Sequence, residues 1–163
     1  MKRFALIGLI AVLAFTACGG DDEPTVTGPS PTPTDTTTTS PSPTQPASGT
    51  VNIASSSLGQ ILVDAQGRTL YLFMNDTDGR SACEGNCAQT WPPLVASGSP
   101  TAGAGVQQSL LATTARSDGA MQVVYNQHPL YHFSDDSAAG QTNGQGFGGN
   151  WFVVSPAGEA IRS

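Results

Sequence analysis

Residues 59–94, laid without gaps on residues 119–154, give seven identities in 36 positions. Leu70-Tyr71-Leu72-Phe73 falls on Leu130-Tyr131-His132-Phe133, Asp76 on Asp136, Trp91 on Trp151, Gly59 on Gly119 and Val63 on Val123. Chance rarely puts Tyr, Phe, Asp and Trp in one ungapped frame. The chain therefore carries two copies of one unit, near 50–97 and 108–158, joined by the Gly/Ala/Ser/Pro segment 97–105. Residues 50–163 hold nine of the eleven aromatics of the chain, and they are numerous enough for one hydrophobic core.

Each unit reads as antiparallel β. Ile61-Leu62-Val63, a turn at Ala65-Gln66-Gly67, and Thr69 to Phe73 form strand, turn, strand. Met121 to Tyr125, Asn126-Gln127 and Leu130 to Phe133 repeat the pattern, and an Asp118-Gly119 turn precedes the second copy's hairpin. The second unit closes with Trp151 to Val154. Only Val106 to Leu111 hints at a helical apolar period. The expected fold is all-β: two tandem antiparallel units of about four short strands each, forming a small pseudo-twofold sandwich or barrel.

What precedes the repeats is an address and a spacer. Lys2 and Arg3 lead into an apolar run from Phe4 to Phe15, too short to cross a bilayer, which needs about 20 apolar residues. Phe15-Thr16-Ala17-Cys18 looks like a bacterial lipoprotein signal, which implies cleavage after residue 17 and a lipidated Cys18 at the new N-terminus. Residues 18–49 then form an expected disordered stalk. In 19–49, nine Thr, seven Pro and four Ser accompany one large apolar residue, Val26. Such a segment buries too little to offset the ordering entropy, and its prolines favour an extended spacer of up to about 95 Å. The whole chain has net charge −6; without residues 1–17 it has −8 and no lysine. Nucleic acid is excluded as a partner on that balance, and acidic lipid would not attract the chain electrostatically. The lipid on Cys18 would hold it alone.

Within the repeats the string LGQILVDAQGRTLYLF, followed by Asp76, Cys83, Cys87 and Trp91-Pro92-Pro93-Leu94, resembles the bacterial "secreted repeat of unknown function". This is a lipoprotein family with a Y-x-(F/W/Y)-x-x-D motif. The motif stands here as Tyr71-x-Phe73-x-x-Asp76 and Tyr131-x-Phe133-x-x-Asp136, with Trp91 and Trp151 behind it. The resemblance implies a cell-envelope lipoprotein and no established activity.

Read residue by residue, Tyr71 and Phe73 point to one face of a central strand, and Leu70 and Leu72 to the other. Asp76 and Asp136 are placed to fix turns, and the tyrosine hydroxyls to bond a neighbouring strand. A shared aromatic-acidic binding surface is the functional alternative. Cys83 and Cys87 are expected to close a small-loop disulfide, with Asn143 and Phe147 at the corresponding places of the second copy. Asn75 to Gly79 fails as an EF-hand, because its register puts Met74 and Gly85 where carboxylates belong. His128 and His132 are metal candidates, with Met121 or Met74 as further ligands, but on one strand they would lie ~13 Å apart. The glycines from 144 to 149 match G-x-G-x-x-G but run into a strand, so a loop folded over Trp151 is expected and no nucleotide.

No catalytic constellation and no cofactor signature is visible. The leading expectation is a non-enzymatic binding or structural module, lipid-anchored on the extracytoplasmic face of the cell membrane. Its candidate partners are wall polymer, glycan or an envelope protein. The exposed candidates are His128, His132, Tyr125 and the two acidic turns. The alternative is an envelope redox or metal-handling accessory using copper or haem.

Overall fold

The computed structural model describes residues 49–162. The leader, Cys18 and the stalk to residue 48 lie outside the described residues; Gly49, expected to end the stalk, is instead buried, and its C=O accepts Thr101 N–H. Among the described residues there are eight short strands: β1 (Thr50–Ser56), β2 (Gly59–Val63), β3 (Tyr71–Phe73), β4 (Thr101–Ala102), β5 (Leu111–Ala115), β6 (Met121–Tyr125), β7 (His128–Pro129) and β8 (Trp151–Val153). They form three small sheets in the orders β2-β1-β4, β3-β8 and β5-β6-β7. The expected all-β class holds, and the sheets do not close into a barrel.

Alternation sets the layers. β3 pairs antiparallel with β8, Tyr71 opposite Val153 and Phe73 opposite Trp151. Leu70, Leu72 and Val154 enter one buried cluster with Val51, Leu62, Val123 and Leu130. Tyr71, Val153 and Trp151 enter a second with Trp91, Tyr131 and Phe133. Successive side chains leave opposite faces of a strand, so this ladder divides an aliphatic core from an aromatic one.

The two units superpose as hydrogen-bond patterns, with a slip. Leu62 N–H donates to Val154 O and Leu70 N–H to Leu62 O; in the second unit Val123 N–H donates to Leu94 O and Leu130 N–H to Val123 O. Leu62 therefore corresponds to Val123, one residue beyond the ungapped frame. Eight residues separate the partners Ile53 and Leu62 but nine separate Thr113 and Val123, whereas seven lie between Leu62 and Leu70 and six between Val123 and Leu130. The identities Gly59/Gly119 and Val63/Val123 thus do not mark equivalent positions, whereas Tyr71/Tyr131 and Trp91/Trp151 do.

Other expectations change. Residues 130–133 are not a strand: β7 covers only His128–Pro129, and beyond it Tyr131 makes single bridges to Tyr71 and Pro93. The joining segment contributes β4, which pairs parallel to the start of β1. A short helix, α1 (Asn86–Thr90), follows Glu84-Gly85. The apolar period near Val106 yields one 3-10 turn, Gln108–Leu110. No helix of the described residues is long and apolar enough to cross a membrane.

Candidate functional site: a reciprocal Tyr–Asp clasp

The repeat motif is read across the copies. Tyr71 O–H donates to Asp136 Oδ2 at 2.5 Å, and Tyr131 O–H donates to Asp76 Oδ2 at 2.8 Å. Each tyrosine thus binds the acid of the other unit. Between them, Tyr71 N–H donates to Tyr131 O at 2.9 Å and Tyr131 N–H to Tyr71 O at 3.0 Å. A local pseudo-twofold axis passes through this pair.

The aromatic rings obey the same symmetry. Trp91 and Trp151 stack at 3.9 Å with planes 2° apart. Tyr71 meets Trp91 edge-on at 5.3 Å, and Tyr131 meets Trp151 edge-on at 5.1 Å. Phe73 lies on Trp151 and Phe133 on Trp91. Edge-to-face and offset contacts are the favoured aromatic geometries, and each adds ~0.5–1.5 kcal/mol beyond burial.

Each acid does two tasks. Its other oxygen closes the loop that follows the motif: Asp76 Oδ1 accepts Ala82 N–H at 2.7 Å, and Asp136 Oδ1 accepts Asn143 N–H at 3.0 Å. The turn-fixing role expected of both acids is therefore correct. Both tyrosines, which the alternative reading placed on a shared binding surface, are fully buried. Burial foremost pushes both hydroxyls well above the ordinary tyrosine range; the Asp136 hydrogen bond adds to this at Tyr71 and the Asp76 charge at Tyr131. They are neutral donors at any physiological pH. Burial also raises Asp76, against the Ala82 and Tyr131 hydrogen bonds and the Arg116 charge.

Beyond the clasp the copies part. In the first, Cys83 and Cys87 form a disulfide, as expected. By its hydrogen bond to the motif acid, Asn143 corresponds to Ala82, so Gly144 and not Asn143 stands where Cys83 does. A side chain at Gly144 would press within 2.7 Å of the Trp91 ring. Phe147 then packs its edge on Trp91 at 5.8 Å. The glycine loop therefore folds over Trp91 rather than Trp151.

Arg116 was legible only as part of a turn. It is 7% exposed, and its guanidinium donates to Ser81 Oγ at 2.7 Å, Gln122 Oε1 at 2.8 Å and Cys83 O at 2.9 Å. Ser81 Oγ also lies 2.8 Å from the Tyr131 hydroxyl oxygen, whose one proton goes to Asp76. This second-unit arginine thus ties the disulfide loop of the first unit to the clasp.

The remaining candidates scatter. His132 and Tyr125 were expected to be exposed and are buried. His132 Nε2 lies 3.0 Å from Asp64 Oδ2, and Arg68 reaches the same oxygen at 2.8 Å. Burial raises Asp64, but the His132 hydrogen bond, the Arg68 backbone bond and both charges outweigh it, holding the carboxyl at about 2. Tyr125 O–H donates to Pro156 O and accepts from Gln107 N–H. His128 is half-buried in β7, while His132 lies past that strand, so the two histidines do not share one. Among the described residues no three His, Cys, Asp or Glu side chains gather into a metal-sized group. Asp64 escaped the sequence reading, although its position before Ala-Gln-Gly marked a turn-capping acid.

Two units joined by swapped motif contacts define a tandem-repeat β domain. A family model described as a secreted repeat of unknown function matches residues 52–95 and 112–155, more than half the chain, and the protein belongs to that family. Each matched span contains one Tyr, Phe, Asp and Trp set. Comparison with curated proteins and with solved structures gave no match.

Proposed function

We propose that this protein is a non-enzymatic module, lipid-anchored through Cys18 and held off the extracytoplasmic face of the membrane by its Thr/Pro stalk. There it binds or braces an envelope component, either wall polymer or another envelope protein. The observation that carries the reading is the reciprocal clasp. The motif's four polar groups are spent on each other, two tyrosines on two carboxylates of the opposite unit. A motif so used is a fastening for a display scaffold, and it leaves no acid-base pair facing solvent.

Two measurements test this. Labelled fatty acid should enter the wild-type chain and not Cys18→Ser. The full exported protein should be retained on purified cell-wall polymer, and Tyr131→Phe should lower thermal stability while leaving retention unchanged. Loss of retention in a still-folded Tyr131→Phe protein would mean that the motif is a binding site. A copper- or haem-sized mass adduct that vanishes on replacing His128 and His132 would instead favour the redox or metal-handling role.

A further inference from the structure

The two units differ at one sheet edge. In the first, β4 covers the start of β1: Thr101 N–H donates to Gly49 O and Gly103 N–H to Val51 O. The counterpart of β1 is β5, and among the described residues no strand takes the place of β4 beside it. The residues that correspond to β4 turn elsewhere, with Ile161 N–H on Val153 O.

Hydrogen-bond parity along β5 identifies its free groups. Arg116 N–H donates to Ala120 O and Asn126 N–H to Leu110 O. With the register of Ala112 opposite Val124 and Thr114 opposite Gln122, even-numbered residues face β6. Leu111, Thr113 and Ala115 turn their backbone groups outward. Leu111 N–H is taken by Gln108 O. The C=O of Leu111 and both backbone groups of Thr113 and of Ala115 have no partner among the described residues. Open edges are normally blunted by Lys, Pro, a bulge or an inward charge. Leu-Ala-Thr-Thr-Ala has none of these.

We infer that β5 is a self-association edge, which pairs antiparallel with β5 of a second copy about a twofold axis at Thr113. This rests on the edge alone and not on the proposed function. In that register the strand overlaps itself fully, 111–115 on 111–115. Each Thr113 N–H donates to the Thr113 C=O of the second copy, and each Ala115 N–H to the Leu111 C=O of the second copy. The four bonds use every free outward donor of the two strands, Leu111 N–H being held by Gln108 O. The edge carries no charge of its own, which favours the equally uncharged β5 of a second copy over a charged peptide. The charges of the β5–β6 hairpin, Arg116 and Asp118, stand at one end. Antiparallel pairing sets that end against the uncharged Gln107 and Gln108 of the other copy, so like charges do not meet. A register shifted by two residues would run the pairing into the 116–119 turn, where Gly119 N–H already bonds Arg116 O.

The test uses the full exported chain. Sedimentation over a micromolar concentration range should show a monomer–dimer equilibrium. Thr113→Pro removes two of the four bonds by symmetry and should raise the dimer Kd about 30-fold. Proline suits an extended edge position and leaves the bonds to β6 in place, so its near-ultraviolet circular dichroism should match wild type. Thr113→Cys should give a 113–113 disulfide dimer under mild oxidation, identified by peptide mass mapping so that Cys18 is not mistaken for it. Paired residues here stand ~5.5 Å apart at Cα, within disulfide reach. Ala112→Cys alone and Thr114→Cys alone should not cross-link, while a mixture of the two should. A chain that stays monomeric throughout, a dimer indifferent to Thr113→Pro, or a cross-link from Thr114→Cys alone would overturn the pairing.

Discussion

The two copies make the same clasp and secure it by different means. In the first, the loop after the motif acid is closed covalently by Cys83–Cys87 and held by the buried Arg116. In the second, the equivalent loop has glycine against the Trp91 ring and Phe147 as an apolar lid, 52% exposed. The tyrosines differ likewise. Tyr131 O–H contacts both Asp76 and Ser81. Tyr71 O–H has Asp136 and one long bond from Gly144 N–H at 3.3 Å. The shared part is what joins the units, so it must be symmetric. The loops outside it answer only to their own surroundings and are free to diverge.

The largest break in this comparison should come at the axis. Trp91→Ala removes the stacking partner of Trp151 and the surface under Tyr71, Phe133 and Phe147, and should cost ~3–5 kcal/mol in denaturant unfolding. A loss below 1 kcal/mol would mean that the stack does not hold the units together. Next come the acids. Asp136→Ala leaves Tyr71 O–H buried without an acceptor and should cost ~2–3 kcal/mol. Asp76→Ala leaves Tyr131 its Ser81 contact and should cost about 1 kcal/mol less. Equal losses would show that Ser81 contributes nothing.

Replacing Cys83 and Cys87 by Ser together should lower stability by about 2 kcal/mol through the small loop released. Hydrogen exchange should quicken in 82–90 and hardly at 143–150, since only the first copy depends on the bond. The smallest effect is a pH limb carried by Asp64, whose counterpart in the second copy is Tyr125. Its carboxyl is held at about 2 against an ordinary 3.8. A depressed folded pKa gives stability that is complete above the unfolded value and lost as pH falls. The melting temperature should therefore drop between about pH 4 and pH 2. Asp64→Asn should flatten that drop, at a cost near neutral pH of about 2 kcal/mol or less. A limb unchanged in Asp64→Asn would assign the acid sensitivity to other carboxylates.

Much of this was readable one residue at a time. Leu70 and Leu72 against Tyr71 and Phe73 announced a strand with two buried faces, and the structure puts them in two separate cores. Asp76 and Asp136, each three residues past the motif tyrosine's phenylalanine at the start of a glycine-ended turn, announced loop-closing acids. Cys83 and Cys87 announced their bond. The helix Asn86–Thr90 was missed, because five residues cannot display an apolar period. Arg116 was missed because nothing in Ala-Arg-Ser-Asp-Gly distinguishes a buried guanidinium from a solvated one.

The repeat, the all-β class and the turn chemistry are thus properties of the sequence itself, since periodicity and short-range hydrogen bonding act between near neighbours. The tertiary structure alone decided which acid each tyrosine meets. Tyr71 lies 65 residues from Asp136, and Tyr131 lies 55 from Asp76. It also decided that His132 of one unit faces Asp64 of the other, and that β5 keeps an open edge where β1 does not. Those outcomes depend on strand register and on where the chain returns. Register is fixed by the sum of many long-range contacts rather than by any residue's own neighbourhood.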